Sequence, residues 1–293
     1  AVYAERFRAV AGEQARAEVT GNIKYDGVTT EVAPALRTRV RTEAGIPDKA
    51  PVIVFGSTRP GDEALAAACY ARLRQRFPEL RMVVAPRHPK RVSDAVAPFA
   101  EPVSRLSERR AGGVKGEPAP VFFVDVVGEL VAFYSVASVA VVGGSFVPGV
   151  NGHNPLEPAA LGVPTVFGPY MSNFAAAAEA LCAAEGARQT SAGALCETLA
   201  ALLADPAEQR RMGTRARRAV LAEARWNATP RWSARLWRGI RQTAPVRLGV
   251  PQPVAAKAAG DVILQAGVRR ILKMETRETY RVFFEHVLAN TVT

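Results

Sequence analysis

The stretch Val139 to Gly168 reads VAVVGGSFVPGVNGHNPLEPAALGVPTVFG and decides the fold. Its first four residues, Val139 to Val142, are apolar, mostly β-branched and too few for a helix, so they predict a buried parallel strand. The loop that follows ends at Asn154-Pro155, where a good N-cap residue precedes a proline suited to the first helical turn. A short helix to about Gly162 and a strand over 164–167 complete a βαβ unit. Its loop therefore lies at the carboxyl edge of the sheet, where α/β proteins hold ligands and a helix start favours anions.

The same alternation of strand and helix recurs on both sides of this unit. Strands are predicted at 51–55, 81–85, 121–125 and 187–190, and helices at 31–44, 62–77, 128–134, 173–184 and 193–203. Residues 100–120 are polar, basic and rich in Gly and Pro, so they predict an irregular excursion. The alternation predicts an α/β protein with a doubly wound, Rossmann-like parallel sheet.

Changes in composition predict three segments. Residues 1–50 are interpreted as the end of a preceding domain and a linker, and residues 51–244 as the sheet domain with a basic helix at its end. Residues 245–293 begin with a linker and then predict two helices, an appended helical tail to which the sequence assigns no role.

The composition is that of a globular protein. With 293 residues, 48% of them hydrophobic, the chain can form one large or two ordinary domains. Cys69, Cys182 and Cys196 show neither C-x-x-C spacing nor a disulfide framework, which predicts reduced, packed thiols in a cytosolic setting. No apolar run approaches the roughly 18 residues of a membrane span, and the first ten residues lack the layout of a signal peptide.

The positive charge is unevenly placed. Of a formal net charge of +11, residues 205–241 hold ten arginines against Asp205, Glu208 and Glu223. Three interpretations of this basic helix remain open: a solvated face, a face for an anionic membrane surface, and a face for a phosphorylated substrate. No nucleic-acid partner is predicted, because the sequence contains no recognised nucleic-acid motif.

Two predicted strand ends carry residues typical of phosphate sites. The turn Gly56-Ser57-Thr58 places hydroxyl groups at a carboxyl end, although many βα turns look the same. In Pro86-Arg87-His88-Pro89, two prolines restrict a loop in which Arg87 could contact phosphate with two hydrogen bonds; the alternative is a plain surface turn. His88 alone is more often structural, and three histidines far apart in sequence predict no metal site.

Two acidic positions follow the later strands. Glu129 starts a helix, where it can favour the helix dipole or accept hydrogen bonds from a base or ribose. Asn154 and Glu157 have the spacing of a capping box. That interpretation alone leaves out His153, directly before the cap, and a preceding loop with four glycines that let a ligand approach the backbone.

Taken in order, these motifs resemble the 3-deoxy-D-manno-octulosonic acid (Kdo) transferases of lipopolysaccharide assembly. The resemblance covers about residues 5–240 and matches the C-terminal, nucleotide-binding half of a two-domain GT-B glycosyltransferase. The motifs are GNIKYD at 21–26, GST at 56–58, PRHP at 86–89, DxxGEL at 125–130, VGGS at 142–145 and GHNPLEP at 152–158.

The resemblance implies a metal-independent, inverting transfer of Kdo from CMP-Kdo to the lipid A precursor, lipid IVA. The reaction would need no cofactor and would take place at the cytoplasmic face of the inner membrane, with this chain bound peripherally. The family's catalytic base, a carboxylate, lies in an N-terminal half with a membrane-anchoring helix, which we expect outside this sequence. No catalytic residue is therefore predicted in this chain.

The resemblance also implies which residues contact the donor. Arg87 is expected on the phosphate and Glu157 on the ribose hydroxyls. The full set of expected CMP contacts is Pro86, Arg87, Val127, Gly128, Glu129, Asn154, Pro155, Leu156 and Glu157. Further possible contacts are Ser57, Thr58, His88, Gly144, Ser145 and His153.

Two departures from the family pattern bear on the donor sugar. Residues 125–129 read Asp-Val-Val-Gly-Glu where the family has Asp-Thr-Met-Gly-Glu, and loop 145–151 lacks the family's usual arginine and is one residue longer. Two alternatives stay open: a nucleotide-binding module without catalysis, and a GT-B enzyme that uses a UDP-sugar, such as a lipid-linked N-acetylglucosaminyl transferase or a sugar epimerase. Preference for cytosine or uracil would separate these readings.

Overall fold

A seven-stranded parallel sheet with the strand order β3-β4-β2-β1-β5-β6-β7 forms the centre of the protein. The computed structural model describes residues 28–112 and 116–227. All pairings in the sheet are parallel, which confirms the predicted doubly wound α/β fold. The strands are β1 (Val52–Thr58), β2 (Arg81–Pro86), β3 (Val103–Arg105), β4 (Val121–Phe123), β5 (Val139–Val142), β6 (Thr165–Phe167) and β7 (Ala187–Gln189).

Helices connect these strands and cover both faces of the sheet. They are α1 (Pro34–Glu43), α2 (Asp62–Arg76), α3 (Val92–Val96), α4 (Leu106–Arg110), α5 (Leu130–Tyr134), α6 (Leu156–Ala160), α7 (Ala175–Ala183), α8 (Leu195–Ala204) and α9 (Pro206–Asn227), with 3₁₀ turns at Pro89–Arg91 and Ser172–Phe174. Within residues 28–112 and 116–227, no helix combines the length and apolar character needed to cross a membrane.

The side on which successive strands are added to the sheet changes at β1. From β1 the chain adds strands on one side and then returns to place β5 on the other, so β1 pairs with both β2 and β5. The helices that follow β1 and β5, α2 and α6, therefore pack in different clusters. The carboxyl edge between them forms the crevice that is the usual ligand position in such sheets. A bond from the Gly143 amide to the Gly56 carbonyl, 2.8 Å long, keeps the two strands paired up to this edge.

The core lies on both faces of the central strands. Ile53 and Phe55 pack with α2 and α8, whereas Val52 and Val54 pack with α1 and α5. Successive side chains of a strand point to opposite faces, so a run that is apolar at every position is buried on both sides. This double burial explains why the apolar runs predicted these strands so well.

Two segments differ from the sequence prediction. Helix α1 belongs to the sheet domain rather than to a linker, because Val40 and Ala44 are buried against the same cluster as Val52. Residues 103–110 form β3 and α4 instead of an irregular excursion. Strand β3 adds to the edge of β4, and Leu106 is fully buried. The predicted tail helices and the boundary at 244 lie outside the described residues.

The prediction of reduced cysteines is wrong for two of the three. Cys69 on α2 and Cys196 on α8 form a disulfide across 127 residues of sequence, with their Cα atoms 5.1 Å apart. The two helices lie side by side on one face of the sheet, which the spacing of the cysteines could not indicate. Cys182 is free and half-buried.

Reduction of this disulfide is expected to lower the free energy of unfolding by about 2–4 kcal/mol, because the cross-link restricts the unfolded chain over a long loop. Urea denaturation of the wild-type protein with and without reductant measures this difference. The Cys69→Ala variant is the control, since reductant should leave its midpoint unchanged. A wild-type midpoint that does not respond to reductant would contradict the expectation.

Candidate functional site

The end of β1 and the loop after β5 touch through their backbones at the crevice. A Cβ atom at Gly143 would lie 2.5 Å from the Ser57 carbonyl oxygen and 2.7 Å from the Thr58 Cα. Ser57 itself has a φ of +56°, in the left-handed region that non-glycine residues seldom adopt. Strained backbone of this kind persists where the surroundings hold it, often at ligand sites.

The Asp62 carboxylate joins these two segments. Its Oδ2 atom accepts hydrogen bonds from the Arg59 amide at 2.8 Å and the Gly144 amide at 2.6 Å. Asp62 is only 1% exposed, and its Oδ1 atom has no hydrogen-bond partner. Burial raises the pKa of Asp62 to about 6, although both amide bonds favour the charged form. The sequence indicated Asp62 only as a helix start.

The Arg59 guanidinium brings two histidines together. Its Nε atom donates to Nε2 of His153 at 3.3 Å, and its Nη1 atom donates to Nε2 of His88 at 2.9 Å. Arginine has no acceptor, so both imidazoles accept through Nε2 and are neutral. Burial, followed by the charges of Arg59 and Arg87, lowers the pKa of His153 to about 4. The loops after β1, β2 and β5 therefore meet at one guanidinium.

Arg59 was missed by the sequence prediction. The signal was present, because an arginine directly follows the Gly-Ser-Thr turn at the end of β1. Its meaning depends on contacts with residues 29 and 94 positions away, His88 and His153. No local pattern predicts such a meeting.

Arg87 and the Asn154–Glu157 turn face the same crevice. The Arg87 amide donates to the Thr58 carbonyl at 3.0 Å, which fixes its loop beside β1. Burial raises the pKa of Glu157, while the hydrogen bond from Asn154 and the charge of Arg87 lower it. The charge of Arg87 therefore acts on both His153 and Glu157, so the Arg87 loop lies within electrostatic range of the residues around Asn154.

Asn154 bonds to the first turn of helix α6, although the N-cap residue is Pro155 and the bonds are not those of the predicted capping box. Its Oδ1 atom accepts from the Leu156 amide at 3.0 Å, and its Nδ2 atom donates to Glu157 Oε1 at 3.3 Å. Pro155 stands just before the helix, which begins at Leu156. The bonds to the helix start and a place at the crevice are thus compatible in the same residues.

Glu129 occupies a different network. Its carboxylate accepts from Arg39 of α1 and from Arg110 of α4, each at 2.9 Å, and Arg110 also pairs with Glu43. The hydrogen bond from Arg110 is the main cause that lowers the pKa of Glu129. Among the described residues, no hydrogen bond or ion pair joins Glu129 to Arg59 or Arg87.

The neighbours of Glu129 in the predicted motif are open to solvent. Val127 is 83% exposed, and Gly128 is exposed with a φ of +87°. A glycine is favoured at such a φ, since an L side chain rarely adopts it. The tip of this loop therefore presents backbone and a single apolar side chain to solvent.

Two of the possible contact residues support the loops from inside. The Thr58 hydroxyl donates to Glu63 Oε1 at 2.9 Å, and Glu63 in turn pairs with Arg91. The Ser145 hydroxyl donates to the Val142 carbonyl at 2.5 Å and accepts from the Gly168 amide at 2.8 Å. Both hydroxyl residues are fully buried, so in this structure they hold the loops and do not line the crevice.

Within residues 28–112 and 116–227, no three side chains of His, Cys, Asp or Glu form a group that could hold a metal ion. The positive charges of Arg59 and Arg87 both act on His153 at the crevice. This arrangement is suited to an anionic ligand.

A parallel sheet of this order, with cationic loops at its switch point, defines a Rossmann-like domain of the GT-B glycosyltransferase type. In sequence the chain is similar to the 3-deoxy-D-manno-octulosonic acid transferases, as the motifs predicted. It is 35% identical over 214 residues to the transferase of Bordetella pertussis, a match that covers 70% of this chain and 48% of that protein. It is 28% identical over 215 residues to the transferase of Haemophilus influenzae, covering 71% and 49%.

The chain thus spans about half the length of these relatives. A scan against models of protein families finds no match. Among solved structures, the chain is similar to the C-terminal CMP-Kdo binding domain of WaaA from Acinetobacter baumannii, with 25% identity and a TM-score of 0.56 over 64% of this chain and 96% of that one. A glycosyltransferase from Rickettsia africae shares the fold alone, with 11% identity and a TM-score of 0.52 over 76% of this chain and 56% of that one.

The buried Asp62 carboxyl is expected to make stability depend on pH. Its pKa is about 6 in the folded protein against 3.8 ordinarily, so the folded state holds this proton more tightly than the unfolded chain. The free energy of unfolding of the wild type, relative to that of Asp62→Asn, should therefore rise by roughly 2–3 kcal/mol as the pH falls from about 7 to 4.

Urea denaturation of both proteins at pH 4, 5, 6 and 7 measures this difference, and the Asn variant subtracts the titration of all other groups. Asn retains one acceptor oxygen for the amides of Arg59 and Gly144, so the loops should stay joined. A difference that is constant over this range, or that grows towards pH 7, would contradict the assignment.

Proposed function

We propose that this chain is the donor-nucleotide half of a Kdo transferase, which transfers Kdo from CMP-Kdo to the lipid A precursor, lipid IVA. The observation that carries the proposal is the position of Arg87, whose amide bonds to the end of β1 and whose charge acts on Glu157 in the first turn of α6. Two further findings support it: the relatives are named as Kdo transferases, and the similar solved domain is named for CMP-Kdo binding.

Each part of the crevice has a role in this proposal. Arg87 donates two parallel hydrogen bonds to the phosphate of CMP. The carboxylate of Glu157, held by Asn154, accepts from the ribose hydroxyls. The exposed backbone at Val127 and Gly128 contacts the base from the other side of the crevice.

Glu129 contributes to that side through its network rather than as a free carboxylate. Arg39 and Arg110 hold it from two helices, so it fixes the start of α5 behind Val127 and Gly128. In the proposal it takes part in nucleotide binding by holding this loop in place.

The chemistry follows from where charge develops. As the acceptor hydroxyl attacks the anomeric carbon of Kdo, the bond to the phosphate oxygen breaks and CMP gains negative charge. A guanidinium that is already in place stabilises this charge without reorganisation. In this way Arg87 does the work that a metal ion does in other transferases, and we propose a direct, inverting displacement that needs neither metal nor cofactor.

The proposal leaves the deprotonation of the acceptor to the other half of the enzyme. His88 and His153 both accept hydrogen bonds from Arg59 through Nε2. A neutral imidazole that accepts through Nε2 carries its proton on Nδ1, so in this state neither histidine can take a proton from an acceptor hydroxyl. We therefore assign no catalytic base to this chain.

The membrane is the proposed place of action, since the acceptor is a lipid of the inner membrane and the reaction faces the cytoplasm. Part of helix α9 is available for an anionic surface. Arg211 and Arg215 pair with Glu208, and Arg217 bonds to the Ala160 carbonyl and pairs with Glu31. Of the arginines in α9 up to residue 222, Arg210 and Arg218 are exposed, and neither forms an ion pair with another described residue. The other arginines of the predicted basic helix, from Arg225 to Arg241, lie outside the described side chains.

Substitution of Arg87 by alanine is expected to weaken CMP binding by about 1.5–3 kcal/mol, the value of a lost charge-assisted hydrogen bond. Isothermal titration calorimetry with CMP measures the change. Arg76→Ala is the matched control, because this exposed arginine lies at the far end of α2, away from the carboxyl edge.

An unchanged dissociation constant for Arg87→Ala would remove this residue from the site. The same titration with UMP and UDP tests the proposal as a whole. CMP should bind clearly tighter than either; equal or tighter binding of UDP would favour an enzyme that uses a UDP-sugar.

The chain is also expected to bind vesicles that contain anionic lipid, with a strength that falls as salt is added. The paired substitution Arg210→Glu and Arg218→Glu should reduce this binding about tenfold or more, at about 1 kcal/mol for each basic residue. Co-sedimentation measures it, and Arg37→Glu with Arg76→Glu controls for net charge. Equal binding to neutral and anionic vesicles, or no binding, would leave α9 as a solvated helix.

A further inference from the structure

Two guanidiniums at the crevice, those of Arg59 and Arg87, have no acidic partner within the part of the chain that the structure describes. Among the described residues, no carboxylate oxygen lies within 4 Å of the guanidinium nitrogens of Arg59 or Arg87, whereas the next arginine along the chain, Arg91, pairs with Glu63. Both Arg59 and Arg87 are half-buried. A charge that is partly removed from water and not paired costs free energy, which a bound anion would recover.

The contacts of Arg59 fix its position without neutralising it. Both hydrogen-bond partners, His88 and His153, are neutral imidazoles in this arrangement. Asp62 is close in sequence, but its Oδ2 atom faces two backbone amides, not the guanidinium. Arg59 therefore keeps a full positive charge in a fixed place, with Nη2 donors that none of these contacts uses.

The two charges stand on neighbouring strands. Arg59 follows β1 and Arg87 follows β2, and the Arg87 amide is bonded to the Thr58 carbonyl. Arg59 is the one that contacts His153, at the end of the β5 loop. Residues 145–151 of that loop carry no charged side chain. The positive charge next to this loop therefore comes from Arg59.

The proposed donor carries two anionic groups. One is the phosphate that joins cytidine to the sugar, and the other is the carboxylate of the sugar acid itself. One guanidinium can bind the phosphate, and a second guanidinium can bind the sugar carboxylate. A planar guanidinium binds a carboxylate with the same paired geometry that it offers to phosphate.

We propose that Arg59 binds the carboxylate of the donor sugar while Arg87 binds the phosphate, so that Arg59 selects a sugar acid over a neutral sugar. This assignment rests on the proposed function, since it names the group of the same donor that a second residue recognises. Asp62, His88 and His153 are positioning residues for Arg59, because they hold its backbone and its side chain.

The test compares two ligands that differ in the sugar acid alone. Calorimetric titrations use the full 293-residue chain with CMP and with freshly prepared CMP-Kdo, for the wild type, Arg59→Gln and Arg59→Lys. Arg59→Gln should weaken CMP-Kdo binding about 10- to 100-fold and CMP binding less than about threefold. Arg59→Lys keeps the charge but loses the paired geometry, so its affinity for CMP-Kdo should lie between those of the wild type and Arg59→Gln.

Affinity for CMP serves as the control for folding, because a misfolded variant loses it as well. An equal loss for both ligands in Arg59→Gln would overturn the proposal and make Arg59 a phosphate or scaffold residue. A wild type that binds CMP-Kdo no tighter than CMP would overturn it too, while leaving the nucleotide site intact. A wild type that binds neither ligand would contradict the proposed function itself.

Discussion

The site depends on one buried carboxylate that joins two loops. Asp62 accepts the amides of Arg59 and Gly144 and thereby ties the end of β1 to the end of β5, on the two sides of the switch point. Without that link the two segments could diverge. Their close approach also needs a glycine at position 143, because a Cβ atom there would meet Ser57 and Thr58. The cost is a carboxyl group that is 1% exposed and only half satisfied. Proteins tolerate such a group where it fixes the geometry of a functional site.

Some arginines of the protein are paired within the fold, and others have no acidic partner among the described residues. In helix α9, Arg215 pairs with Glu208 and Arg217 bonds to the Ala160 carbonyl. Near the β4 loop, Arg39 and Arg110 pair with Glu129. At the crevice the outcome is different. There the acceptors around Arg59 are neutral imidazoles, so positive charge remains for a ligand. Net charge alone would have drawn attention to α9 instead.

The contacts of Glu129 differ from those that its sequence motif implied. The motif placed it among the nucleotide contacts, and the fold gives its carboxylate two arginine partners from other helices, 90 and 19 residues away in sequence. One of these, Arg110, comes from the segment predicted as irregular. An ion pair that needs β3 and α4 in place cannot be predicted when those elements are themselves missed. The motif nevertheless identified the loop, because Gly128 needs its positive φ whatever Glu129 contacts.

The sequence by itself determined the doubly wound sheet, the position of its central βαβ unit and the loops that meet at the crevice. These follow from local causes: apolar runs long enough for a strand, glycines at turns and an asparagine at a helix start. The tertiary structure alone decided that Arg59 meets His88 and His153, that Asp62 joins two loops and that Cys69 reaches Cys196. Each of these contacts joins residues from different strands or helices. Their meeting depends on strand order, and strand order is set by the packing of the whole sheet.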